Sequence, residues 1–154
     1  MEEITQGMKA PAFSSIDQHG ESIKLSDFKG KKLALYFYPK DSTSTCTVQA
    51  CNLRDGFKEL GKKGIVVVGV SPDDEKSHLK FIAKNELPFR IIADTDKKLV
   101  QDYGVWAEKS MYGKKYMGVI RKTFLIDENG LIVKILDKPK VKEHSDEIAQ
   151  GFGA

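Results

Sequence analysis

Two short apolar runs separated by a stretch of helical periodicity constrain this chain more than any other feature. Leu33-Ala34-Leu35-Tyr36-Phe37-Tyr38 stops at Pro39, and Ile65-Val66-Val67-Val68-Gly69-Val70 stops at Ser71-Pro72. Continuous runs of this length, rich in β-branched and aromatic residues, suit strands covered on both faces. Between them Ala50, Leu53, Phe57 and Leu60 recur at helical spacing, and Gly61 and Gly64 supply stop signals. This is a β–α–β unit, so the two strands are expected to be parallel with the helix crossing one face.

The rest of the chain fits around that unit. Ala12-Phe13-Ser14-Ser15-Ile16 and Ser22-Ile23-Lys24-Leu25 flank Asp17-Gln18-His19-Gly20 and read as an N-terminal hairpin, an edge ribbon. Helices are predicted over 77–85 and 96–103, each opened by a good capping residue. Segments 119–126 and 131–136, joined by Asp127-Glu128-Asn129-Gly130, read as a second hairpin, and 143–150 as a closing helix. A mixed sheet with helices on both faces accommodates this order. The 154 residues contain no internal repeat or low-complexity linker, so one domain spanning 1–154 is expected. With 40% hydrophobic residues the chain can bury a core, which excludes disorder as the main state. No apolar run approaches the ~20 residues of a membrane span, and the acidic start Met1-Glu2-Glu3 lacks a signal layout; a cytoplasmic protein with no membrane partner is expected. The net charge of +3 is spread as scattered pairs such as Lys31-Lys32 and Lys114-Lys115, which does not suggest nucleic-acid binding.

The chemistry concentrates between Tyr38 and Cys51, where a buried strand hands over to a helix and open α/β sheets bring their ligands. Cys46 falls in the helix's first turn, where unpaired backbone N–H groups and the helix dipole favour a thiolate over a thiol. Its Ser and Thr neighbours argue against burial. Thr43 is placed to cap the helix or hydrogen-bond a substrate oxygen, and Pro39 ends the strand and would shield the pocket from water. Cys51 follows at i+5. Five helical residues advance ~7.5 Å and turn ~500°, leaving the two Cα atoms ~8.6 Å apart, beyond the ~7 Å limit for a disulfide. The pair therefore either never bonds or bonds when the helix unwinds, and Cys51 fits a core position as well as a redox role.

Two cysteines are too few for a disulfide-built scaffold, and the scattered His19, His78 and His144 give no four-ligand zinc pattern, so no metal and no cofactor are expected. Nor do the histidines offer a nucleophile–base arrangement for a Cys–His hydrolase. His19 and His144 are expected to face solvent, Asp73 and Asp74 to be helix-start charges, and Trp106 to serve packing.

The spacing Pro39-x-x-x-Thr43-x-x-Cys46 resembles the active-site motif of the peroxiredoxins, and a second cysteine five residues on is similar to the bacterioferritin-comigratory, or Q-type, subfamily. The similarity extends through Phe37-Tyr38-Pro39-Lys40-Asp41, Ala50-Cys51-x-x-Arg54-Asp55, Val70-Ser71-x-Asp73, Tyr103-Gly104-Val105-Trp106 and Arg121-Lys122-Thr123-Phe124-Leu125-Ile126-Asp127. The chain departs from the family in carrying Ser44-Thr45 where Pro-Gly is usual, and Gln49 where Glu is usual. The resemblance implies a thioredoxin-like mixed sheet with flanking helices, the N-terminal hairpin being an extension. It implies reduction of hydrogen peroxide and alkyl hydroperoxides, with electrons from thioredoxin or a similar dithiol reductant. Cys46 would be the peroxidatic thiolate and Cys51 the resolving thiol. Arg121, placed in the strand pattern Val119, Arg121, Thr123, Leu125, would reach the sulfur from a neighbouring strand. With both cysteines in one chain a monomer suffices. Two other readings use the same cysteines: a redox sensor or thiol-switch binding protein, for which the chain carries no added output element, and a dithiol oxidoreductase, whose chemistry commonly uses Cys-x-x-Cys.

Overall fold

The structure is a computed structural model that describes residues 4–153; the acidic start Met1-Glu2-Glu3 and Ala154 lie outside the described residues. Its elements run β1 (Ser14–Ile16), β2 (Ser22–Lys24), β3 (Lys32–Phe37), α1 (Ser44–Lys62), β4 (Ile65–Ser71), α2 (Glu75–Asn85) and β5 (Arg90–Ala93). They continue with α3 (Lys98–Asp102), β6 (Trp106–Met111), β7 (Lys114–Val119), β8 (Lys122–Ile126), β9 (Ile132–Leu136) and α4 (His144–Gly151).

The β–α–β unit is present as its apolar runs require. β3 and β4 pair in parallel, Leu33 opposite Val66 and Phe37 opposite Val70, with α1 as the crossover. From Leu33 to Phe37 every residue of β3 is buried, because the strand has a core on each face. One core gathers Leu33, Leu35 and Phe37 with Phe13, Ile23, Tyr103 and Phe124; the other gathers Ala34, Tyr36 and Tyr38 with Ala50, Leu53, Phe81 and Ile148. The full sheet has the order β5-β4-β3-β8-β9, parallel across β5, β4 and β3 and antiparallel across β3, β8 and β9. This is the mixed, thioredoxin-like sheet with flanking helices expected from the sequence.

The N-terminal hairpin β1–β2 also forms, but as a two-stranded sheet of its own rather than as an edge of the main one. Asp17 in its turn pairs with Arg90 and Gln18 accepts the Ile91 N–H, which ties the ribbon to β5.

Three expectations are corrected. Segment 119–126 is not one strand: Val119 ends β7, Ile120 donates its N–H to Val105, and β8 begins only at Lys122, where the chain changes partner from β6 to β3. Arg121 therefore stands in the short connection ahead of β8. Asp96 does not open α3; the N-cap position falls on Lys97, and the buried Asp94 carboxylate accepts the N–H groups of Leu99 and Val100. Asp74 caps α2 through the Ser77 N–H, but Asp73 turns inward to the Asp41 N–H and the Ser71 hydroxyl.

Candidate active site

Helix α1 begins at Ser44, and the first backbone hydrogen bond it closes runs from the Thr47 N–H to the Thr43 carbonyl. Cys46 thus lies in the first turn, on the side facing the sheet. Its side chain packs with Tyr36, Tyr38 and Ala50 and is 2% exposed, so the polar neighbours Ser44 and Thr45 are turned outward and do not keep the sulfur in solvent. Arg121 comes across from the start of β8: its Nη2 donates to the Cys46 Sγ at 3.1 Å and its Nη1 donates to the Oε1 of the fully buried Gln49. Gln49 is three residues along the helix from Cys46, hence on the same face.

A second cation stands nearby. The Lys109 side chain crosses the β6–β7 ribbon over Gly118, whose missing Cβ leaves it room, and donates to the Val119 carbonyl at 2.8 Å. Burial and the Arg121 guanidinium push the Lys109 ammonium's pKa down, while the Cys46 sulfur opposes them.

The Thr43 hydroxyl does not cap the helix. It donates to the Lys40 carbonyl at 2.9 Å, which leaves its lone pairs free to accept. Pro39 is half-buried just past β3, where Tyr38 makes the last ladder bond, to Val70. Cys51 faces away from Cys46: it is half-buried, and its thiol points at the Asn85 side-chain oxygen at 3.7 Å. On the outer face Cys51 helps line an open depression of 360 Å³ with Thr47, Val48, Asn52, Asp55 and Lys142.

The segment leading into α1 is anchored by a buried network. The Asp41 carboxylate accepts from the Tyr38 hydroxyl and, at 2.8 Å, from the Ser77 hydroxyl, and it meets His78 Nδ1 at 2.6 Å. His78 Nε2 contacts the Ile92 carbonyl at 2.9 Å. A carbonyl only accepts, so in that contact Nε2 is the donor. Asp41, Asp73 and His78 offer ligand-type atoms within 4.8 Å of one another, but every such atom of His78 is already committed to this network.

His144 is fully buried rather than solvent-facing. It opens α4 and accepts from Thr123 through Nε2, while Nδ1 donates to Glu147. The sequence holds no signal for that inward turn, because a histidine at a helix start reads equally well as exposed. The sequence marks Gln49 only as a departure from the family pattern, and it holds no site signal for Lys109 or the His78 network.

An N-terminal helix thiol under an arginine fork, on a thioredoxin-like sheet, defines the class as a thiol-based oxidoreductase. The comparisons make it narrower. The AhpC/TSA family model matches residues 6–135, and the chain is 46% identical over 147 residues to Peroxiredoxin Bcp of Bacillus subtilis, covering 96% of this chain and 94% of that one. It is 44% identical to Peroxiredoxin Bcp of Escherichia coli, over 95% of this chain and 94% of that one. Among solved structures, a cysteine-to-serine mutant of Xylella fastidiosa PrxQ superposes with TM-score 0.92 at 29% identity, covering 99% of this chain and 98% of that one. Xanthomonas campestris peroxiredoxin Q gives 0.85 at 35% identity, covering 92% and 90%. The chain belongs to the AhpC/TSA family and is a peroxiredoxin of the Bcp/Q kind, a peroxidase. No helix among the described residues is long and apolar enough to cross a membrane.

Proposed function

We propose that residues 1–154 act as one domain in which Cys46 is the peroxidatic group and Cys51 the resolving one. The Cys46 thiolate attacks one oxygen of hydrogen peroxide or an alkyl hydroperoxide. The O–O bond breaks, the other oxygen leaves with the electron pair and takes a proton as water or alcohol, and Cys46 becomes a sulfenic acid. The Arg121 fork donates to the sulfur and to the departing oxygen as negative charge builds there. Thr43, its hydroxyl hydrogen committed to Lys40, offers lone pairs to the peroxide's O–H, and Pro39 limits water behind it. The single observation that carries this reading is the 3.1 Å contact between Arg121 and the buried Cys46 sulfur at the start of α1.

The Cys51 thiol then condenses with the sulfenic acid: an S–S bond forms and water leaves. Both residues lie within α1, so the helix must open first. Thioredoxin or a similar dithiol protein reduces the disulfide and becomes oxidised in turn, approaching from the open depression beside Cys51. Neither step calls on a metal, an organic cofactor or a second copy of the chain, and we place this monomeric enzyme in the cytoplasm.

Cys46→Ser should abolish peroxide consumption with the fold intact, since a hydroxyl is a far weaker nucleophile. Cys51→Ser should consume one equivalent of peroxide, gain one oxygen by mass and then fail to be recycled by a thioredoxin system. Turnover by Cys46→Ser would overturn the reading; efficient recycling of Cys51→Ser would remove Cys51 from it.

A further inference from the structure

One guanidinium bridges Cys46 and Gln49, and the way Gln49 meets it is informative. Arginine only donates, so the amide's orientation is fixed: oxygen toward Arg121, NH₂ away from it. That NH₂ is buried and has no partner among the described residues. An unpartnered buried donor costs on the order of 1–3 kcal/mol, so as mere filling Gln49 would be a worse choice than an apolar side chain of its size. What the position gains is the acceptor.

Three side chains of similar shape could stand here, and they treat the cation differently. Methionine would leave Arg121 Nη1 without its acceptor. Glutamate would accept more strongly, but it would set a negative charge against the guanidinium and one helical turn from Cys46, neutralising the first and repelling a thiolate at the second. Glutamine accepts and adds no charge. Among the described residues Arg121 makes side-chain hydrogen bonds to Gln49 and Cys46 and has no carboxylate partner. The other titratable groups that act on this spot are the Lys109 ammonium from β6, the Tyr36 hydroxyl from β3, the buried His144 imidazole from α4, and Cys51 on α1 itself. Asp41, farther along the loop, is engaged by His78, Tyr38 and Ser77.

We propose that Gln49 is a positioning residue that holds Arg121 on Cys46 while leaving the guanidinium's charge uncompensated, so that the ionised sulfur is the anion Arg121 faces. The inference rests on Cys46 being the reacting thiol. Its test uses a Cys51→Ser background, in which Cys46 is the sole thiol, and compares Gln49, Gln49→Glu and Gln49→Met. Thiolate absorbance is followed against pH, and the rate of the single reaction with hydrogen peroxide is measured at each pH. In Gln49→Glu the ionisation midpoint of Cys46 should move up by about one unit or more, with about tenfold less thiolate below it, and the rate profile should move with it. In Gln49→Met the profile should stay near its place while the rate falls about tenfold, because Arg121 keeps its charge but loses its alignment. A Gln49→Glu protein that titrates and reacts like Gln49 overturns the proposal. If that variant does not fold, an undiminished rate in Gln49→Met overturns it equally. Loss of reaction in Cys46→Ser stands apart from both, so an unmoved profile in a protein that still needs Cys46 counts against Gln49 alone.

Discussion

Cys46 and Arg121 are 75 residues apart in the chain and 3.1 Å apart in space, and the contact depends on where a strand starts rather than on a helical or strand repeat. Because Arg121 precedes β8 instead of lying within it, its side chain leaves the edge of the ladder and spans from Gln49 to the sulfur with both Nη atoms. Arg121→Lys keeps the charge and loses the fork, and one ammonium cannot reproduce the paired geometry. The second-order rate with peroxide should drop by about 10²-fold, the scale seen when one aligned donor is removed, with the melting temperature little changed. A rate within twofold of wild type, on the order of 0.4 kcal/mol, would exclude the alignment role. The cysteine, threonine, proline and arginine were legible from their spacing and from family resemblance. Lys109 was not, since a lysine on an alternating ribbon reads as solvent-facing and only the gap over Gly118 turns it toward Val119.

α1 carries both cysteines on opposite sides, Cys46 toward Arg121 and Cys51 toward Asn85, which makes the helix itself the obstacle to a disulfide. Oxidation to a Cys46–Cys51 bond should lower hydrogen-exchange protection of the amides over 45–55, since opening a terminal segment costs far less than global unfolding. The Asp41 N–H, held by Asp73 at 2.8 Å, and the amides of β3 and β4 should keep theirs, marking the fixed end of the movement. Unchanged exchange in protein shown by mass to carry the bond would mean that α1 is not helical in the reduced enzyme. Elements with strong periodicity, β3, α1 and β4 above all, were readable from sequence. The β6–β7 ribbon escaped because its turn is Tyr112-Gly113, and a tyrosine at φ 52° is not a residue that announces a left-handed turn. β5 escaped because four residues after Pro88 carry too little pattern to separate strand from loop.

At the scale of the molecule the sheet is covered on both faces, and α4 is the element that closes the face bearing Cys46. It does so through polar as well as apolar contacts: Asn52 on α1 accepts the Ser145 N–H and donates to the Lys142 carbonyl, and His144 bridges Thr123 on β8 to Glu147. Gly56 permits the approach, since a Cβ there would lie 2.4 Å from that of Ser145. Burial lowers the His144 pKa; Glu147 pulls it back up and the Arg121 cation adds to the lowering. The hydrogen bonds agree with a neutral ring, Nδ1 donating to the carboxylate and Nε2 accepting from the threonine hydroxyl. Tyr36, the other titratable side chain packed against the ring, has its pKa raised well above its ordinary value by burial and stays neutral throughout. With the folded pKa below the unfolded value of about 6.5, the unfolded chain binds the extra proton first as pH falls. The contribution of His144 to stability is therefore complete above about pH 6.5 and is lost progressively below it. Urea midpoints from about pH 8 down to about pH 5 should show that decline in wild type. His144→Asn should be less stable at the upper end, where it has lost packing, yet should decline less steeply over the same interval. Parallel curves for the two proteins would show that His144 does not couple the closing helix to pH.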